Sequence, residues 1–187
     1  MKKIILALVV LVAVASCQEP QKIAFVDNGE VINDYQMKID IESKFKKKDE
    51  DYKKKTDSIG RAYQLDAQQT QLRLSKLSPQ KQQEGSQAFS QKWQGIQQQL
   101  QFDQQQMQQA FNVEMDSVIV KVKEFVGAYG KTNGYTYILG KNEAGSVLYG
   151  SEANDISEQV AKALNEAYGK KEDVKAVATE DKETSKK

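Results

Sequence analysis

The 187-residue chain carries 27 basic and 26 acidic residues, no histidine, one cysteine and two prolines. Without histidine the commonest general base and transition-metal ligand is missing, and a single cysteine excludes an intrachain disulfide or a thiolate cluster. A net charge this close to zero argues against nucleic-acid binding, and so few prolines permit long helices.

Residues 1–16 read as a leader. Lys2 and Lys3 form a basic start, and Ile4 to Val14 is an apolar run of eleven residues, too short for the ~20 that span a bilayer. Val14-Ala15-Ser16-Cys17 matches a bacterial lipobox. Its small residues admit the lipoprotein signal peptidase, and the Cys17 thiol is the nucleophile able to carry a diacylglyceryl thioether. The competing reading is ordinary cleavage after Ala15, which leaves Cys17 a free thiol. Without Lys2 and Lys3 the chain holds 25 basic against 26 acidic residues, a net charge of −1. Residues 17–21 then form a short lipidated tether.

Lys22-Ile-Ala-Phe-Val-Asp27 is a strand, and its uninterrupted apolar run predicts burial on both faces. Asn28-Gly29 predicts a turn, and Glu30 to Asp34 leads into a first helical arm from Tyr35 to Leu77. Phe45, Tyr52 and Ile59 recur every seven residues, and Leu65 and Leu72 continue the spacing after a phase shift. Leu77-Ser78-Pro79 stops one helix and starts another, with Ser78 as N-cap and Pro79 in the first helical position.

The second arm has the clearest periodicity. Phe89, Trp93, Ile96, Leu100, Asp103, Met107, Phe111, Met115, Val118, Val122, Phe125 and Tyr129 step by three or four, as on one face of an α-helix. Gly127, Gly130 and Asn133-Gly134 predict its end. Tyr135–Leu139 and Val147–Tyr149 read as two further strands. Asp155-Ile-Ser-Glu158 resembles a capping box, and its helix is predicted to bury Ile156, Val160, Ala163, Leu164 and Ala167. Residues 170–187 are charged and poor in apolar side chains, as in a disordered tail.

The fold class is therefore α+β. A head of residues 22–34 and 131–169 bears a helical hairpin of residues 35–130, with its tip near residues 78–86. Two arms of similar length return the chain to the first strand. A head of ~50 residues is marginal without disulfide, metal or association, and its strands would leave open edges. Closing a barrel with strands from several subunits answers both problems, without fixing their number.

The chemistry of enzymes is missing. There is no Ser-His-Asp arrangement, phosphate loop or HExxH motif, so no catalytic, cofactor-binding or metal site is expected. Lys44 to Lys55 contains seven lysines and three acids. Its candidate basic patch, Lys46, Lys47, Lys48, Lys53, Lys54 and Lys55, reads either as a lure for anionic lipid or acidic clients or as a solvated helix face. Fifteen of residues 80–109 are glutamine; neutral amides suit an arm that meets many clients, and equally a soluble filler or a segment prone to partner-swapping.

Lys22-Ile-Ala-Phe-Val-Asp27, Glu42-Ser-Lys-Phe-Lys46 and, above all, Gly134-Tyr-Thr-Tyr-Ile-Leu139, Val147-Leu-Tyr149, Asp155-Ile-Ser157, Val160 and Leu164-Asn165 resemble the Skp (OmpH) family of periplasmic chaperones. The resemblance covers nearly the whole chain between leader and tail, in detail at the head and only architecturally in the arms. It implies a homotrimer whose strands form a β-barrel body, with the hairpins as tentacles around a cavity that holds unfolded outer-membrane proteins without ATP. On that pattern Ile23, Phe25, Val26, Tyr135, Tyr137, Leu139, Val147 and Tyr149 belong to the trimer head. Phe89, Trp93, Ile96 and Leu100 are the candidate client-facing residues of the arm. Better-known members are soluble, with basic tentacles implicated in binding lipopolysaccharide. Here the second arm is glutamine-rich, so no such site is carried over, and the lipobox is a second departure.

The sequence thus predicts a periplasmic holdase anchored to a membrane at Cys17, with no nucleic-acid partner. Several acyl chains in one oligomer anchor stably where a single one does not. The five residues from Cys17 to Lys22 reach at most ~17 Å, so the body is expected against the bilayer with the arms projecting away. The alternative is a structural coiled-coil lipoprotein acting as an envelope spacer or adaptor, and a membrane-active amphipathic protein ranks third. A spacer needs a continuous apolar seam and a dedicated partner; a holdase needs thin, partly exposed apolar spots.

Overall fold

The structure, a computed structural model, describes the backbone of residues 21–184 and the side chains of residues 21–170. The leader, the lipidation residue Cys17 and most of the tether lie outside the described residues. Strand β1 (Ile23–Asp27) runs directly into a short helix α1 (Asn28–Asp34). Two long helices follow, α2 (Gln36–Leu74) and α3 (Pro79–Thr132), then strand β2 (Tyr137–Lys141), a 3₁₀ turn (Glu152–Asn154) and helix α4 (Ser157–Thr184).

The two strands pair in parallel, with Ile23 opposite Tyr137 and Asp27 opposite Lys141. Parallel neighbours need a crossover, and the crossover here is the whole hairpin. One face of the sheet, with Ala24, Val26 and Ile138, packs on the helices. There Val31, Ile41, Val118, Val122, Val160 and Leu164 complete the core. Val31, Val118 and Val160 are fully buried.

Several expectations are corrected. Val147–Tyr149 is not a strand: it has no neighbour to pair with in a single chain, and Leu148 and Tyr149 stand 93% and 89% exposed. Asn28-Gly29 is the first turn of α1 instead of a reverse turn. Asp27 drives this as N-cap, its Oδ1 accepting from the Gly29 and Glu30 amides at 3.0 and 3.2 Å. Those bonds, the Glu30 amide foremost, hold the Asp27 carboxyl below the ordinary carboxylate range. β1 is buried on both faces at Ala24, Phe25 and Val26, as predicted, and only its first residue, Ile23, is exposed.

A break at Tyr35 divides α1 from α2, and Asn165 of α4 bridges it. Its Oδ1 accepts from the Gln36 amide at 2.8 Å while its Nδ2 donates to the Asp34 carbonyl at 2.9 Å. One side chain thus caps two helix ends. Ser78 occupies the N-cap position of α3, but its side chain makes no capping bond; Pro79 follows as predicted. α3 continues through Gly127 and Gly130. At Gly130 a Cβ would lie 3.1 Å from Ile138 Cδ1, so the missing side chain lets β2 approach, and the helix ends two residues later at Thr132. The turn out of it uses Gly134, at φ +71°. Where a disordered tail is predicted after Gly169, helical backbone extends to Thr184, a stretch with no proline and many good helix formers.

The division between buried and outward faces of α3 has a direct consequence for stability. Val118→Ala removes two fully buried methyl groups and is expected to cost about 2 kcal/mol in a urea titration of the soluble chain. Val113→Ala, five residues away on the outer face, should stay within about 0.5 kcal/mol of wild type.

Candidate functional site

The arms are the part of the molecule with surface to offer. α2 and α3 pack along a seam whose composition changes with distance from the head. Near the head it is apolar: Phe45 and Phe111 meet edge to face at 5.3 Å, with Val118 and Val122 buried below them. Further out it becomes polar. The Tyr52 hydroxyl donates to the Leu100 carbonyl at 2.9 Å, and ion pairs join the arms.

Three of these inter-arm pairs form a regular series. Lys44 meets Glu114 at 2.6 Å, Lys55 meets Asp103 at 2.7 Å, and Lys92 meets Asp66 at 2.7 Å. On each arm the partners are eleven residues apart. Eleven residues make slightly more than three helical turns, so the rungs recur close to one line along nearly straight arms, ~16 Å apart. The outermost rung carries more than charge. Asp66 Oδ2 also accepts from Trp93 Nε1 at 3.0 Å, and the Trp93 ring lies edge-on to Tyr63 at 5.0 Å and near Phe89 at 6.2 Å. Beyond it a groove of about 420 Å³ opens toward the tip between Ala67, Thr70, Leu74, Ser86 and Phe89.

This seam relocates several sequence-predicted residues. Phe89, Trp93, Ile96 and Leu100 all turn toward α2, with Trp93 buried and the others half-buried; they hold the arms together before they can meet a client. Leu65 and Leu72, read as continuing the seam, point outward. The seam instead passes through Tyr63, Asp66, Thr70 and Leu74, a path hidden by its polar members. Apart from Ile119, at 39%, the large apolar side chains that α3 exposes are Phe102, Val113 and Val120, at 55, 62 and 50%. Each stands two residues beyond a seam residue (Leu100, Phe111, Val118). Two residues turn a helix by about 200°, which puts them on the opposite face. Periodicity reading followed the stronger stripe and passed over this one.

Half of the basic patch is paired where it lies. Lys53 pairs with Asp49, Lys54 with Asp51 and Lys55 with Asp103, and the hydrogen bond to Asp49 raises the Lys53 pKa. Lys48 sits 4.7 Å from the centre of the Phe45 ring. Lys46 and Lys47 make no ion pair among the described residues. At the head, Phe25 and Val26 are buried, while Tyr135 and Val147 are half-buried. Ile23, Tyr137, Leu139 and Tyr149 are exposed. No group of His, Cys, Asp or Glu able to hold a metal ion occurs among the described residues, and none of their helices is long and apolar enough to cross a membrane.

Asp66 and Asp103 both have lowered pKa values, in each case chiefly through the hydrogen bond from the lysine across the seam. A carboxylate depressed on folding contributes stability that is complete above its unfolded value, ~3.9, and lost as pH falls through the folded one. Acidifying the soluble chain from pH 5 to 2 should therefore loosen the distal seam. Trp93, the sole tryptophan, reports it as a red shift in emission. Asp66→Ala should show that red-shifted emission already at pH 7. A wild-type spectrum unchanged down to pH 2 would contradict the assignment.

A family model described as outer membrane protein (OmpH-like) matches residues 22–164, and one for a prokaryotic membrane lipoprotein lipid attachment site matches residues 1–18. Among curated proteins none matches the chain. The crystal structure of an OmpH-like outer membrane chaperone from Caulobacter crescentus is similar at a TM-score of 0.68 and 11% identity, over 80% of this chain and 87% of that one. At that identity the likeness is one of fold, and it covers head and hairpin alike. The attachment site and the family together make the protein a membrane-anchored periplasmic lipoprotein. Matched over most of its length, the chain belongs to the OmpH-like family of outer membrane proteins.

Proposed function

We propose that the protein is an ATP-independent holdase whose arms, brought together by a trimeric head, keep unfolded outer-membrane proteins from aggregating. The observation that carries this reading is the outer stripe of α3. Phe102, Val113 and Val120 are apolar, exposed and directed away from the arm's own partner. Successive members are eleven and seven residues apart, so all three lie on one line. Gln106, Gln109 and Asp116 interrupt them. This is a surface for several weak contacts, unlike the continuous seam that an envelope spacer would present to a dedicated partner.

The head supports the trimer. Ile23, Tyr137 and Leu139 share the sheet face away from the helices and are exposed there, and Leu148 and Tyr149 extend from the following loop. So large an apolar face on so small a head argues for a covering partner, and a second and third copy supply strands where residues 147–149 have none in one chain.

The soluble form beginning at Gln18 is expected to suppress light scattering when a urea-unfolded β-barrel protein is diluted, at about one trimer per client and without nucleotide. Replacing Phe102, Val113 and Val120 together with serine should weaken suppression at least tenfold with the circular dichroism spectrum unchanged. Leu139→Glu should give monomers by sedimentation, whereas the triple variant stays assembled. Unchanged aggregation at saturating wild-type trimer would remove the holdase reading.

A further inference from the structure

The tether enters the fold at one extreme of the molecule. α3 runs 54 residues from the tip to Thr132, ~80 Å, and Lys22 lies at its far end. Lys22 Nζ donates to the carbonyl of Asn133, the C-cap of α3, at 3.0 Å. The same ammonium stands 4.0 Å from the centre of the Tyr135 ring, which stacks on Tyr129. From this corner β1 and β2 run back toward the arms. α4 follows: Asn165 reaches Asp34 and Gln36, and Tyr168 reaches Asp40.

Among the described residues, the segments that form the corner carry one sign of charge; Glu19 precedes them in the tether. Neither residues 21–26 nor residues 125–139 contain a carboxylate, and Lys22 and Lys131 are both exposed. The nearest acid along α3, Glu124, is paired with Lys121 at 2.9 Å. A helix C-terminus alone would repel an anion; the two lysines reverse that sign. After bonding Asn133, Lys22 retains two of its three donors. Cys17, the lipid attachment residue, is five residues away, at most ~17 Å of chain.

We propose that this corner is a headgroup-binding surface: Lys22 and Lys131 meet the phosphates of the membrane that holds the acyl chains on Cys17. Tyr129 and Tyr135 sit beside them, a residue type suited to the boundary between polar and apolar layers. Contact at an end, and not along a side, stands the arms off the bilayer. The inference concerns the anchor and is independent of whether the arms hold clients.

The test uses the full lipidated chain in liposomes that contain a headgroup-attached nitroxide quencher. Fluorophores are placed singly at Thr132→Cys, beside the corner, and at Lys76→Cys, at the tip. Quenching is expected at residue 132 and not at residue 76. It should be stronger with phosphatidylglycerol than with phosphatidylcholine alone, and K22Q/K131Q should abolish that difference. In co-sedimentation at low salt, the soluble chain carrying both substitutions should bind anionic vesicles at least about 25-fold more weakly, at about fivefold per lysine for the two lysines of each protomer engaged. An unquenched position 132, equal quenching at both positions, or quenching at 132 indifferent to both lysines and to lipid charge would each overturn the proposal. Aggregation assays on the soluble form test the holdase reading separately.

Discussion

The parallel pairing of β1 and β2 is the constraint on which the architecture depends. An antiparallel pair could be joined by two residues, but a parallel pair must bring the chain back to the end where it began. In compact α/β folds one helix makes that return by lying on the sheet. Here the return leaves the sheet altogether, up α2 and down α3. The geometry then requires unequal arms. The ascending side starts from the far end of β1, five residues or ~17 Å along, whereas the descending helix must reach its near end. α3 exceeds α2 by fifteen residues, ~22 Å of helix, which covers the strand and its turn.

The seam between the arms grades from hydrophobic to electrostatic, and the two parts hold differently. Close to the head, burial of Phe45, Val118 and Val122 stabilises the hairpin by the same packing that closes the head core. Toward the tip, exposed ion pairs contribute little each, and the Asp66–Trp93–Tyr63 cluster is the strongest fixed point. Stability along the arm therefore falls with distance from the head. The tip is free to separate without disturbing the sheet, and local opening of this kind is drawn from regions with few buried apolar contacts. This grading suits the adaptable arm of the proposed holdase; a rigid strut would concentrate apolar packing along its whole length.

The features legible in sequence were those written in local signals. β1, the Pro79 restart, the long stripe of α3 and the buried face of α4 each follow from periodicity and breakers a few residues apart. What stayed hidden depends on residues distant in the chain. The break at Tyr35 exists because Asn165, more than a hundred residues later, satisfies both helix ends. The distal seam passes through Asp66 and Thr70 because partners on α3 make polar side chains acceptable there. No pattern on α2 alone could distinguish that path from Leu65 and Leu72. Phe89, Trp93, Ile96 and Leu100 meet α2, which a single apolar stripe does not state, since it does not say whether it faces another arm or a client. Residues 147–149 are strand-like in composition, but a strand is a property of a pair.

That α3 carries apolar residues on both faces also bears on how holding could work without an energy source. Full burial of one Phe or Val is worth roughly 1.5–3 kcal/mol, and ordering a flexible client offsets much of it. A single contact with Phe102, Val113 or Val120 is therefore transient. In the proposed trimeric holdase, affinity would accumulate only when a client is long and unfolded enough to touch several arms at once, so selectivity for the unfolded state would follow from multiplicity without a shaped pocket. Gln106 and Gln109 keep the stripe discontinuous. On the proposed holdase reading, a client that folds and withdraws its apolar side chains would lose these contacts one by one, and release would need no nucleotide.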